Sequence, residues 1–166
     1  MSGLANNRTE PDIGRGQLYA YSSIAIHRPR ELRIQKEGEM KGFQPLRVLV
    51  VDDNRDVADS LMMMVKIEGH EVFVAYDTAV GLRLAAEVVP DLIFHDIGLP
   101  NMSGYEAARR LRQDQRLQKT LLIAYTGYGT DLDQKQAKEA GFDRYVVKPM
   151  EHETLVSLLG AAAAAR

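Results

Sequence analysis

The chain has 166 residues, 45% hydrophobic and 27% charged, with a formal net charge of −2. That is the content of about one soluble globular domain, and it carries no electrostatic signature of nucleic-acid binding, which shows as a basic patch or stripe. No apolar run approaches the roughly 20 residues needed to cross a bilayer, residues 1–10 lack the basic start and apolar stretch of a signal peptide, and the absence of cysteine excludes disulfides and thiolate metal sites; a cytoplasmic protein with neither nucleic acid nor membrane as partner is expected.

Residues 1–44 differ from the rest. They hold Asn6-Asn7, Pro11, Gly14, Gly16 and Pro29, then a mixed-charge stretch from Arg28 to Lys41, with apolar content only at 17–27. That is too little for a separate core, so a flexible leader or linker is expected here. Met40, just before the domain, is a candidate start. The domain itself is expected over 45–160, and residues 161–166 form a helix extension or tail, because Ala161–Ala165 is a run of the best helix former.

From Leu46 onward strand-like and helix-like segments alternate. The strand-like runs are 46–51, 71–76, 91–95, 120–125 and 144–147; the helix-like segments are 55–68, 78–88, 103–114, 131–140 and 151–160. Val57, Leu61, Met64 and Val65 make the buried stripe of the first helix. Gly69 and Gly141 stand where the first and fourth helices stop. The first, third and fourth runs are nearly continuous apolar stretches, as expected of strands covered on both faces. Such alternation with short connections predicts βαβ units. The fold class is α/β, a doubly wound five-stranded parallel sheet for which the flavodoxin-like order 2-1-3-4-5 is a common solution at this size.

Four of the runs end in chemically loaded residues: Asp52-Asp53, Asp96, Thr126-Gly127 and Lys148-Pro149. In a parallel sheet these ends share the edge where open α/β sheets bind ligands. Asp52 or Asp53 could simply cap the next helix. Together with Asp96, however, they make a cluster whose mutual repulsion calls for a cation, and oxygen ligands without His or Cys favour Mg²⁺. Asp96 is either a turn residue before Gly98 and Pro100 or a nucleophile that forms an aspartyl phosphate. Lys148 is either a solvated lysine or a second positive charge on a phosphoryl group. The apolar strand before it and Pro149 after it, with a peptide bond that can be cis, favour the second. Thr126 is a β-branched strand end whose hydroxyl can donate to a phosphoryl oxygen.

Residues 46–160 resemble the receiver domain of two-component response regulators. The resemblance rests on Val50-Val51-Asp52-Asp53-Asn54, Asp91-Leu92-Ile93, Asp96-Ile97-Gly98-Leu99-Pro100, Met102-Ser103-Gly104-Tyr105-Glu106, Thr126-Gly127, and Ala140-Gly141-Phe142-Asp143 through Tyr145 to Lys148-Pro149. It implies that Asp96 is the phospho-acceptor, and that Asp52, Asp53 and the Gly98 main-chain carbonyl complete a Mg²⁺ shell with it. It further implies that Thr126 and Lys148 bind the phosphoryl group and that Tyr145 is an aromatic switch. The segment Asp96 to Pro100 resembles receivers of the hybrid histidine kinase type. His95 departs from the aliphatic residue usual before the acceptor. Strand alternation points it away from the Asp96 side chain, and a buried, hydrogen-bonded, neutral ring is expected.

The function expected is a phospho-accepting receiver of a two-component system or phosphorelay. It is not an enzyme beyond its own phosphorylation and dephosphorylation, and it takes its phosphoryl group from a histidine kinase or histidine phosphotransfer protein. With so little sequence after residue 160, signalling is expected through a protein partner on the face of the fourth helix, fifth strand and fifth helix. Met63 and Ile67 lie roughly 200° and 240° around the first helix from Leu61, beside Asp56 and Ser60. These four, with Pro149, form the expected donor-docking face, since Met suits adaptable interfaces. Two alternatives are a small phosphatase working through an aspartyl phosphate and a phosphorylation-independent interaction module. Asn54 speaks against the first, because haloacid-dehalogenase-type phosphatases carry a second acid two residues after the nucleophile; the complete set of acids, Thr126 and Lys148 speaks against the second.

Overall fold

The structure is a computed structural model that describes residues 44–127 and 129–166. The expectations for residues 1–43 lie outside the described residues. β1 (Arg47–Val51), β3 (Leu92–His95) and β4 (Leu121–Thr126) are almost wholly buried. They occupy the middle of a five-stranded sheet of order β2-β1-β3-β4-β5, paired in parallel throughout. β2 (Glu71–Ala75) and β5 (Arg144–Val147) are the edges, and β5 has no fully buried residue.

The side-chain period of two sorts the central strands between two cores. Val48, Val50, Leu92, Phe94, Ile123 and Tyr125 face α1 (Arg55–Ile67) and α5 (His152–Ala164), where Leu61, Val65, Leu155 and Leu159 meet them. Leu49, Val51, Ile93, Leu122 and Ala124 face α2 (Thr78–Val88), α3 (Gly104–Gln113) and α4 (Asp131–Ala140), through Leu84, Ala108, Leu111 and Ala137. The expected stripe on α1 holds, with Ala58 buried alongside Leu61 and Val65. The alanine run extends α5 to Ala164, and Ala162 buries against the sheet.

Side-chain oxygens of Asn54, Asp77, Ser103 and Thr130 accept backbone N–H groups at the starts of α1 to α4, each satisfying donors that a helix start leaves open. α4 ends on Gly141 at φ 110°, a left-handed conformation that favours glycine. Its carbonyl accepts Nε of Arg112 at 2.9 Å. The same guanidinium also reaches the carbonyls of Leu117 and Thr120 and the Asp143 carboxylate, so one side chain ties α3 to α4 and β5. At the opposite edge from the loaded strand ends, Arg166 grips both Asp91 oxygens, at 3.0 and 2.8 Å, and the Pro45 carbonyl at 2.6 Å. This fixes the end of α5 against the starts of β1 and β3.

His95 closes β3 with its side chain in the α2–α4 core, 2% exposed. Burial pushes its pKa down to about 4, against roughly 6.5 in an unfolded chain. The native ring is therefore neutral where the unfolded chain protonates. The unfolded state takes up the extra proton, so stability present above about pH 6.5 is lost as the pH falls toward 4. We expect His95→Leu to lose about 2 kcal/mol less unfolding free energy than the wild type between pH 7 and pH 5. Urea titrations at the two pH values measure it; parallel losses in both proteins would show that His95 is not the group responsible.

Candidate functional site

The site forms where β1, β3, β4 and β5 end side by side. Parallel pairing sets Val51 opposite His95, His95 opposite Ala124 and Thr126 opposite Val147. Asp52, Asp96, Thr126 and Lys148 thereby reach one edge. The Asp96 N–H donates to the Val51 carbonyl at 2.9 Å, and the Lys148 N–H to the Thr126 carbonyl at 2.9 Å. These bonds carry the sheet ladder one step past the strands, to the clustered side chains.

Lys148 is at the centre. Its ammonium donates to Asp96 Oδ2 at 2.8 Å and lies 2.6 Å from Asp52 Oδ2. The Asp52 contact is close enough for an ion pair but lacks hydrogen-bond geometry, so the buried Asp52 Oδ2 has no hydrogen-bond donor. Asp52 Oδ1 accepts the Asn54 N–H at 3.0 Å, and Asp96 Oδ1 accepts the Gly98 N–H at 3.1 Å. Asp53 is exposed at the mouth. Carboxylate oxygens of Asp52, Asp53 and Asp96 all lie within 4.8 Å of one another.

Electrostatics follow from this packing. Burial pushes the Asp52 carboxyl up, and the neighbouring Asp96 adds to that; the adjacent Lys148 ammonium and the Asn54 N–H offset only part of it. Burial also works against the Lys148 ammonium, but its bonds to Asp52 and Asp96 outweigh this and raise its pKa. Three carboxylates around one ammonium leave an excess of negative charge. That excess, the oxygen-only donors and the bondless buried Asp52 oxygen fit a hard divalent cation such as Mg²⁺.

Thr126 is fully buried at the end of β4. Tyr145, on β5, is half-buried against the α2–α4 core. Burial, then the charge of Asp133 on α4, pushes its hydroxyl up to about 12. The Lys148–Pro149 peptide is cis, and Pro149 is exposed. On α1, Asp56, Ser60, Met63 and Ile67 are all exposed, Met63 by 62% and Ile67 by 65%. Their spacing sets them on one face.

Some expectations need correcting. Neither Asp52 nor Asp53 caps α1; Asn54 does, through bonds to the Asp56 and Val57 N–H groups at 3.1 and 3.3 Å. Lys148 is not a solvated lysine, and the turn role and the clustered role of Asp96 coexist in its two oxygens. The bridging of Asp52 by Lys148 went unseen in the sequence. Its only signal there was that one cation follows the last strand while three acids follow the first and third.

Residues 48–160 match the family described as response regulator receiver domain. Protein PilH of Pseudomonas aeruginosa is 31% identical over 118 residues, 71% of this chain and 98% of that protein. The DNA-binding dual master transcriptional regulator RpaA of Synechocystis is 31% identical over 115 residues, 69% of this chain, which spans only 48% of that relative. Among solved structures, the receiver domain of sensor histidine kinase PA1611 from Pseudomonas aeruginosa aligns with a TM-score of 0.67 at 26% identity, over 73% of this chain and 99% of that one. That neighbour was crystallised with a magnesium ion coordinated in its active-site cleft.

Removing the ammonium should expose the repulsion it suppresses. Lys148→Ala is expected to lose about 3 kcal/mol of stability at pH 7 in EDTA, the scale for breaking a buried ion pair from one side. Added Mg²⁺ should restore much of it by binding the native state alone. Chemical unfolding with and without Mg²⁺ reads both effects, and a variant as stable as the wild type in EDTA would contradict the central role of Lys148.

Proposed function

Because the chain belongs to the response regulator receiver domain family, we propose that it accepts a phosphoryl group from phosphohistidine onto Asp96 and signals through a protein partner. The observation that carries this reading is the single ammonium of Lys148, held between Asp96 and Asp52 with Asp53 alongside. Nucleophile, cation donors and a phosphoryl-binding charge occupy one small volume.

An Asp96 carboxylate oxygen attacks phosphorus and forms an O–P bond. The P–N bond of the donor breaks, its electron pair stays on the donor imidazole, and that ring takes up a proton. Asp52, Asp53, Asp96 and the Gly98 carbonyl would hold Mg²⁺, which would neutralise the phosphoryl oxygens and help orient the group for in-line attack. Lys148 moves from its two carboxylates to a phosphoryl oxygen, and Thr126 donates its hydroxyl to another. The shift of Thr126 frees space for Tyr145 to turn inward. Strand β5 and the neighbouring helices carry that change to the face where Leu132, Val147 and Val156 are exposed by 64%, 43% and 43%, which we assign to the downstream partner. Chemistry ends with the chain's own phosphorylation and dephosphorylation, so a chromogenic phosphate ester should not be turned over. Among the described residues no helix is long and apolar enough to cross a membrane, in keeping with work in the cytoplasm.

The phosphodonor protein, a histidine kinase or histidine phosphotransfer protein, docks on α1. Met63 and Ile67 present apolar surface with no core role, flanked by Asp56 and Ser60. Both belong to the helix that starts beside Asp53, with Pro149 following Lys148 at the site.

Acetyl phosphate with Mg²⁺ should label Asp96 alone, as read by mass spectrometry after borohydride trapping. Labelling that persists in Asp96→Asn at unchanged stoichiometry would assign the acceptor elsewhere. Beryllofluoride with Mg²⁺ should move backbone resonances across residues 126–148, and changes confined to the metal site would rule out the Thr126–Tyr145 switch. Met63→Asp combined with Ile67→Asp should slow transfer from the donor protein by about tenfold or more, the cost of losing two apolar anchors, while acetyl phosphate labelling stays near normal. Unchanged protein transfer would exclude this docking face.

A further inference from the structure

We propose that His95 is a positioning residue for the phospho-acceptor, its ring holding the Asp96–Ile97 peptide, which starts the short segment that joins the Asp96 carboxylate to the Gly98 carbonyl. This rests on the functional reading above and adds a residue that reading does not use.

β3 ends at His95, so the Asp96 carbonyl lies one residue beyond the strand. Its donor is the His95 side chain, with Nδ1 2.6 Å from the Asp96 oxygen. A carbonyl can only accept, which assigns the proton to Nδ1. Nε2 is then an acceptor, and it is buried without a hydrogen-bond partner among the described residues. A buried polar atom left unpaired is costly and calls for an explanation. The bond at Nδ1 supplies one, because an aliphatic side chain would fill the same space but could not hold the carbonyl.

The same peptide is packed from its other side. A Cβ on Gly104 would lie 2.7 Å from the Asp96 oxygen and 2.7 Å from Ile97 Cα. The Gly104 N–H donates to the Ile97 carbonyl at 3.0 Å, while the Asp96 N–H is fixed on Val51. The segment between acceptor and metal-ligand carbonyl is thus pinned by β1, by the start of α3 and by the His95 ring. Only the ring is a side chain that can be exchanged for another donor.

Two substitutions separate positioning from packing. His95→Leu keeps the bulk and removes the donor. His95→Asn loses bulk but places an amide N–H the same number of bonds from the backbone as Nδ1. For Leu we expect Mg²⁺ affinity, measured by calorimetry, to fall about fivefold, the worth of one hydrogen bond. Acetyl phosphate labelling at saturating Mg²⁺ should slow, while the melting temperature in EDTA at pH 7.5 stays near wild type because the unpaired Nε2 goes too. For Asn we expect the reverse, a lower melting temperature with near-normal Mg²⁺ affinity. His95→Met serves as the donor-free variant should Leu not fold. A donor-free variant with wild-type Mg²⁺ affinity, or affinity that tracks melting temperature across the variants, would overturn the positioning role. A wild-type chain that neither binds Mg²⁺ nor labels would instead overturn the functional reading, and this inference with it.

Discussion

A lysine ammonium between one buried and one partly buried carboxylate is the contact on which the site depends. Asp52 and Asp96 belong to neighbouring strands and have only 2% and 13% of their side chains exposed. Carboxylates brought that close out of water repel one another. Lys148 arrives from the far edge strand and sets a positive charge between them, so β1, β3 and β5 are electrostatically coupled as well as packed. The balance is incomplete by design of the composition: with Asp53 added, negative charge still exceeds positive, and that residue of charge is what a divalent cation would satisfy.

The sheet converts sequence separation into proximity. Lys148 and Asp96 are 52 positions apart, yet both follow directly from strands that the same ladder keeps in register. The hydrogen bonds of the Asp96 and Lys148 amides to Val51 and Thr126 extend that register one step past the strands. Rigidity there is bought with polar groups in the core. His95 is neutral, buried and half-satisfied, and Gly104 admits no side chain without collision.

Two arginines tie helices to the sheet at the edge opposite the site. Arg112 joins α3, α4 and β5 through bonds to carbonyls and one carboxylate, so those elements share a single anchor. Arg166 locks α5 to the starts of β1 and β3 at the opposite edge. The exposed large apolar residues are Leu132 on α4, Val147 on β5 and Val156 on α5, with Met63 and Ile67 on α1.

Periodicity and strand endings made most of this legible from sequence. Continuous apolar runs marked β1, β3 and β4 as central because a doubly covered strand has no polar face, and the edge strands showed weaker patterns. Helix bounds came within a few residues, since Gly141 and the polar caps punctuate the chain; the last helix runs on through the alanines to Ala164, as their propensity predicts. The acids, Thr126 and Lys148 could be assembled at one edge because parallel strands put their carboxyl ends together. What sequence could not decide was which partners those side chains choose. Asn54 rather than an aspartate took the helix cap, since Asp52 turns inward to Lys148. Lys148 bridges two carboxylates instead of one, Arg112 and Arg166 find carbonyls across the fold, and His95 bonds its neighbour's main chain. Each of these depends on distances between elements that no local pattern encodes. Local propensity and hydrophobic period determine the elements, whereas the pairing of charges and donors is settled only once packing fixes which groups lie within about 3 Å of one another.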